Sequence, residues 1–378
     1  MKKTKAKTVA PAGAKADASA GAKASTKKKR GQFYTVRTDY ILDTFQGPPA
    51  GTTRVVEPYA GAGDLLVWLK AKGWTGPVEA YDIEPKYEGV EQRDTLADPP
   101  SYSGAWVLTN PPYLARNKND MKEIYDRYDT NDLYKCFLVS LCAEPVPAQG
   151  GLLILPVGFF LSPRNVDVRC RSLFLERYRI TAVRYFEEDV FPDTSTTVVA
   201  FTFEAAGETA PLRTQTIPWV RMPMNERREF TIGVENDWII GGEIYRLAEA
   251  EGVGVGRYVE GVALKEGAWM SGLTLTALDS GKEDGRIQLN YKEGYVYPAK
   301  DTSRSYATVW FRGCRQLTAG EQEVLAERFN ALVEEKRGET WSLFLPQYRE
   351  SKEYARKRIP FELVYTIILH LLKELLEA

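Results

Sequence analysis

The chain has 378 residues, 44% of them hydrophobic, enough for about two domains with sizeable cores. One histidine, His370, and four cysteines at 136, 142, 170 and 314 without CxxC spacing give no basis for histidine-dependent catalysis, a zinc site or a disulfide scaffold. The net charge of −1 conceals two opposed parts: residues 1–30 carry nine lysines and Arg30 against Asp17, a balance of +9 that leaves −10 on the remainder.

With Ala, Gly, Ser and Thr between its lysines, the segment 1–30 cannot bury enough apolar surface to fold and is expected to be a disordered basic tail. No apolar run approaches the roughly 20 residues of a membrane span, and the N-terminus lacks the apolar block of a secretory signal, so an intracellular protein is expected. From Arg54, short apolar runs alternate with amphipathic segments through RVVEPYAGAG, DLLVWLKAKG, VEAYDIEP, AWVLTNPPY, DLYKCFLVSLC and GGLLILPVGFF to TTVVAFTFE, ending near Glu204. That alternation predicts an α/β sheet with helices on both faces. AAGETAPLRTQTIP then reads as a domain boundary, residues 218–313 as mixed short strands and loops, and Thr318 with Glu321 as a capping box opening a helical region. His370 falls in VYTIILHLLKELL as a helix residue. The domains expected are therefore the tail, a unit over 31–204 and a mixed α+β unit over 205–378.

Ligands of open α/β sheets bind beyond the carboxyl ends of strands, so the residues after each apolar run carry the functional reading. In VVEPYAGAGDLL, Gly61 and Gly63 permit a tight turn and close backbone approach, although a purely structural turn would use the same residues. Asp82 in VEAYDIEP stands about 20 residues on, where an acid can accept from a ribose diol; glycine loop plus acid leaves an NAD enzyme open. Asp94 in QRDTLAD is either an acceptor for an exocyclic amine or a surface aspartate. TNPPY is more particular. Its two prolines fix the backbone and remove donors, leaving the carbonyls of Asn110 and Pro111, with the Asn110 side chain, as preplaced acceptors; Pro112 keeps the turn rigid and Tyr113 adds a ring. Acceptors plus ring suit a planar amine on an extruded nucleobase, since stacking contributes roughly 1–3 kcal/mol against the few kcal/mol of extrusion, although a rigid turn with a packed tyrosine would use the same residues.

In this order the motifs resemble the S-adenosylmethionine-dependent DNA adenine-N6 methyltransferases of the gamma type, whose clamp motif commonly reads like GQFYT, here Gly31 to Thr35. The resemblance covers residues 31 to about 204. It implies a Rossmann-like class I methyltransferase sheet followed by a target-recognition domain. It implies further that Thr35 and Glu57 hold the methionine end of S-adenosylmethionine, Gly61 and Gly63 admit its backbone approach, Asp82 its ribose and Asp94 its adenine. Pro58, Ala60, Ile83 and Thr95 complete those contacts. Asn110, Pro111, Pro112 and Tyr113 match the catalytic motif residue by residue, and in EEDVFPDTSTTVVAF the aromatic that packs on the other face of the flipped base falls on Phe191. One departure is Tyr59, where many relatives have a smaller residue. SLFLPQYRESKEYARKRIPF is similar to adenine methyltransferases of large algal viruses and bacterial restriction systems.

The expected reaction is direct methyl transfer to an adenine N6 amine in double-stranded DNA without a metal, in an enzyme that could pair with a separate restriction endonuclease. Arg349, Lys352, Arg356, Lys357 and Arg358, in a region read as helical, are the expected phosphate contacts, although a solvated helix face would look the same. Methyltransferases acting on RNA adenine or on protein glutamine share the Asn-Pro-Pro-Tyr chemistry and remain alternatives.

Overall fold

A computed structural model describes residues 35, 37–191, 196–207, 212–279, 287–348 and 355–377; the expected basic tail lies outside them. The apolar runs form strands where the sequence placed them, and a two-residue strand at Glu91–Gln92, outside any apolar run, is added to them. They are β1 (Val55–Glu57), β2 (Val78–Asp82), β3 (Glu91–Gln92), β4 (Trp106–Thr109), β5 (Gly150–Pro156), β6 (Tyr178–Phe186) and β7 (Val198–Ala205). Two more, β8 (Thr214–Met222) and β9 (Glu226–Gly233), complete a nine-stranded sheet in the order β3-β2-β1-β4-β5-β7-β6-β8-β9. β1 to β5 run parallel and β7 is antiparallel to both its neighbours.

The helices between are α1 (Thr38–Ile41), α2 (Asp64–Ala71), α3 (Glu123–Tyr128), α4 (Leu133–Cys142), α5 (Gly158–Leu161) and α6 (Asn165–Arg177). From β1, α2 leads outward to β2; from β4, α3 and α4 lead the other way to β5. Right-handed crossovers in opposite directions put their helices on opposite faces. Covered on both sides, β4 is buried at all four positions. The reversal lies between β1 and β4, and the carboxyl ends of these strands are where sheets of this kind form their ligand crevice. The expected fold class, a class I methyltransferase type of sheet followed by a mixed α+β unit, is the one observed.

The boundary expected after Glu204 is corrected. β8 pairs in parallel with β6 from Val183–Trp219 to Phe186–Met222, and its fully buried Ile217 and Trp219 belong to the first core. Trp219 meets Phe160 edge to face at 4.9 Å. The first core runs to Ile240 and the second starts at Ile244, so the chain changes cores across Gly241 and Gly242. The period-2 burial of TQTIPWVRM is that of a strand with one face on a core.

In the second unit, β10 (Gly254–Arg257), β11 (Ala268–Thr276), β12 (Gln288–Tyr291) and β13 (Tyr306–Arg312) form an antiparallel sheet in the order β10-β13-β11-β12. The long α7 (Ala319–Thr340) and α8 (Phe361–Glu377) pack with it. The capping box is present: Glu321 N donates to Thr318 Oγ1 at 3.3 Å and Thr318 N to Glu321 Oε2 at 2.7 Å. His370 is on α8, with Nδ1 2.9 Å from Ala248 O. A two-stranded ribbon, β14 (Gln347–Tyr348) with β15 (Arg356–Lys357), joins α7 to α8. At the end of α7, Trp341 leaves the second unit and plugs the first: its ring meets Phe230 at 5.1 Å and its Nε1 donates to Glu226 Oε1 at 2.9 Å. No helix among the described residues is long and apolar enough to cross a membrane.

Candidate active site

Three strand ends meet at the crevice. β1 ends on Glu57, and the chain turns through Pro58 to Gly63. Gly61 and Gly63 both take left-handed backbone, with φ of 54° and 86°. At Gly63 a side chain is excluded twice over, because a Cβ would also lie 2.2 Å from Cδ2 of Tyr87, whose ring covers the turn. β2 ends on Asp82, which braces the same turn: Gly61 N donates to Asp82 Oδ2 at 2.8 Å and Glu84 N to Oδ1 at 2.7 Å. Ile83, next along, leaves 47% of its surface exposed beside that carboxylate. Thr95 is buried and its Oγ1 donates to Pro58 O at 3.0 Å, pinning the turn from a third side.

β4 delivers Thr109 and Asn110, and two hydrogen bonds tie this strand end to Glu57 and Thr35. Thr109 Oγ1 donates to Glu57 Oε1 at 2.6 Å, and Asn110 Nδ2 donates to Thr35 Oγ1 at 3.1 Å. Tyr59 N adds a second bond to Glu57 Oε1 at 3.0 Å, while Oε2 of this fully buried carboxyl has no partner. Burial pushes Glu57 from 4.5 up to about 8, opposed by the Thr109 and Tyr59 bonds and reinforced by the charge of Asp82. A buried carboxyl with an orphaned oxygen is the partner a cation requires, and an ammonium there would restore its charged form. The residues thus fit the amino-acid end of S-adenosylmethionine at Glu57, and a sugar diol at Asp82.

The sequence expected Tyr113 and Phe191 to stack on the target base, and in the structure both rings are buried. Tyr113 is 7% exposed and Phe191 1%. The Tyr113 hydroxyl lies against Asn110 Oδ1 and 2.7 Å from Ile154 O, and its ring meets Tyr134 edge to face at 6.2 Å. Pro111 is buried and Pro112 half-buried in the same turn. Asp94 is exposed, and its Oδ1 accepts from Leu96 N and Ala97 N, both at 3.1 Å, as in a local turn. Tyr59 turns from the crevice towards α4, meeting Phe137 edge to face at 5.6 Å, so its bulk does not fill the space by Glu57.

The basic run is also corrected. Arg349 and Lys352 lie outside the described residues. Arg356 and Lys357 form β15 rather than a helix, and Arg358 bridges to Leu278. All three are half-buried: Arg356 Nε donates to Asp279 O at 3.1 Å, and Lys357 Nζ to Glu187 Oε1 at 3.0 Å. Lys357 thereby reaches across to the first unit, while these contacts of Arg356 and Arg358 stay within the second.

Sequence reasoning missed Thr109, although it precedes Asn110 in the quoted motif, and Asp132. The Asp132 Oδ1 accepts from Leu114 N at 3.1 Å, and Leu133 N donates to Leu114 O at 3.2 Å, so the start of α4 clamps the chain leaving Tyr113. Burial pushes Asp132 from 3.8 up to about 6 against the pull of Lys135, which itself forms a buried ion pair with Asp167.

No family model matches the chain, and no curated protein does. Among solved structures it is similar to a modification subunit of a putative type I restriction enzyme from Vibrio vulnificus YJ016 (16% identity, 52% of this chain and 48% of that one, TM-score 0.40). It is also similar to the methyltransferase subunit of a type I restriction-modification system from Streptococcus thermophilus (17%, 51% and 48%, TM-score 0.37). A third is a putative class I S-adenosylmethionine-dependent methyltransferase from Listeria monocytogenes (10%, 49% and 61%, TM-score 0.35). The chain spans about half the length of the first two. Likeness at this level establishes no activity, which must be argued from the strand ends themselves.

Proposed function

We propose that the chain is an S-adenosylmethionine-dependent DNA adenine-N6 methyltransferase. The observation that carries this reading is the pair of hydrogen bonds joining the Asn-Pro-Pro-Tyr turn to the glycine-turn side of the crevice, Thr109 to Glu57 and Asn110 to Thr35, at the reversal of the sheet. Bound S-adenosylmethionine would supply an electrophilic methyl group on its sulfonium. Glu57 takes the ammonium end, Asp82 the ribose, and Ile83 lies against the base, with Pro58, Ala60, Gly61 and Gly63 lining the turn between.

Asn110 acts on the nucleophile. Thr35 accepts one hydrogen of its amide nitrogen, which fixes the amide so that Oδ1 faces the target amine. Accepting at Oδ1 and at the Pro111 carbonyl draws the amine's hydrogens away from the base plane and localises the nitrogen lone pair. The acceptors are built in before substrate arrives, and positioning supplies most of the acceleration. Tyr113 must first release Asn110 Oδ1, so entry of the base and exposure of the acceptor are one event. The freed ring of Tyr113, with Phe191, then stacks on the base. Sequence choice belongs to the second unit, and a separate restriction endonuclease is the natural partner of such an enzyme inside a cell.

The test is transfer of a labelled methyl group onto DNA, RNA and protein side by side. Label in DNA at adenine N6 is expected; label in RNA or on glutamine alone would replace this reading by one of those activities. Asn110→Ala is expected to bind S-adenosylmethionine within about threefold of wild type while losing about 100- to 1000-fold in rate, the scale of removing one preorganised polar group. An active variant would remove Asn110 from the chemistry.

A further inference from the structure

The three residues that open the target-base segment, Glu187 to Asp189, follow directly from β6 and lead to Phe191. Glu187 and Glu188 are held from three directions. Glu187 N donates to Met222 O at 3.2 Å, at the end of β8. The second unit supplies the next set: Ala355 N donates to Glu187 O at 3.2 Å, and Lys357 Nζ pairs with Glu187 Oε1 at 3.0 Å with both side chains 16% exposed. Two residues back, the fully buried Tyr185 donates its hydroxyl to Gln347 Oε1 at 2.8 Å, so both strands of the β14–β15 ribbon reach this strand end. The third direction is α1, the clamp helix in the sense that it follows the Gly31–Thr35 clamp motif. Tyr40 of α1 donates its hydroxyl to Glu188 Oε1 and meets Phe186 at 5.9 Å, and the buried Arg184 of β6 pairs with Asp43 just beyond α1.

The separations in sequence make the junction specific. Tyr40 and Glu188 are 148 residues apart, and Glu187 and Lys357 are 170. A solvated pair on one helix would contribute little, but a half-buried pair reinforced by a backbone bond between the same segments resists separation. We propose that Glu187 and Lys357 are positioning residues: together they make the β14–β15 ribbon of the second unit set the loop that carries Phe191. Docking of that unit on a nucleic acid then places the base-holding loop, and through Glu188 and Tyr40 the clamp helix moves in register with it. The lysine that looked like a phosphate contact in the sequence is consumed as a strut between recognition and capture. The inference rests on the methyltransferase reading of the same site.

The test uses the full chain, S-adenosylmethionine and unmethylated plasmid DNA, with Lys357→Glu, Glu187→Lys, the double exchange and Lys357→Arg. Each single reversal is expected to lower the single-turnover methylation rate about 10- to 100-fold, the cost of misplacing a catalytic segment by about an ångström. Affinity for DNA and for S-adenosylmethionine should stay within about threefold. The double exchange and Lys357→Arg should recover most of the rate, which a merely destabilising change would not do. Thermal melts identify a reversal that fails to fold; the exchange and Lys357→Arg then carry the comparison. Loss of DNA affinity with an unchanged single-turnover rate would make Lys357 a duplex contact and overturn the inference, as would a double exchange no better than either single variant. If the wild-type chain does not methylate DNA, the functional reading fails instead.

Discussion

Replacing Glu57 by glutamine separates what this carboxyl does to the empty fold from what it does for a ligand. Its proton is held to about pH 8 in the folded chain against 4.5 ordinarily. Between those values the unfolded chain gives up the proton and the folded chain keeps it. The stability this group allows is therefore fully present below 4.5 and is lost as pH rises through about 8. At pH 7 the folded carboxyl has forgone roughly 2.5 pH units of ionisation, about 3–4 kcal/mol at ~1.4 kcal/mol per unit. Glu57→Gln keeps an oxygen for Tyr59 N and Thr109 Oγ1 and cannot ionise. Relative to the variant, the wild type should lose about 2–3 kcal/mol between pH 5 and pH 7, read by urea denaturation at both values. S-adenosylmethionine should reverse the comparison: its ammonium drives ionisation, so close to one proton leaves per ligand bound at pH 7. Calorimetric titration in two buffers of different ionisation enthalpy measures that proton. The variant should bind about 10- to 100-fold more weakly, the scale of one charge-assisted hydrogen bond. Heats independent of buffer, or undiminished binding by the variant, would refute the assignment of Glu57.

Tyr113→Ala removes both the ring and the hydroxyl that covers Asn110 Oδ1. It should lower methylation at least tenfold by losing a stack of roughly 1–3 kcal/mol, and should dull the signal of a fluorescent analogue at the target base; an unchanged signal would show that the ring never leaves its buried seat. Gly63→Ala should destabilise the fold by about 2 kcal/mol, from the left-handed backbone and the contact with Tyr87 together. Adding Tyr87→Ala should recover only the steric share, and a Gly63→Ala chain as stable as wild type in urea would mean that the turn relaxes freely.

The crevice was legible because its residues are local to the ends of apolar runs. Glu57, the two glycines, Asp82 and Asn110 each follow a strand in the sequence, and a parallel sheet aligns strand ends automatically. What escaped depends on partners far away in the chain. Tyr113 offers an aromatic face in a peptide string, but whether that face is open is decided by Ile154 and Tyr134. The run around Lys357 carries charges suited to a phosphate, yet Glu187 and Asp279 claim two of them. The strand β8 was legible by its alternation and was read into the second unit, because the Gly-Pro-Thr segment before it looks like a linker. Its membership of the first sheet is settled by Trp219 entering the aromatic core beside Phe160.

A sheet of nine strands ends in two rims where main-chain groups face outward, and such rims recruit stray chains unless they are guarded. On one side the rim is β3, two residues long, with Glu91 exposed. On the other it is β9, which opens with four successive charges, Glu226 to Glu229; Arg228 spends its guanidinium on the last carbonyls of α7, reaching Glu339 O at 3.1 Å. Brevity protects one border and charge the other, the two devices that discourage strand-to-strand adhesion. The largest architectural element of the chain is thereby kept from becoming a seed for aggregation.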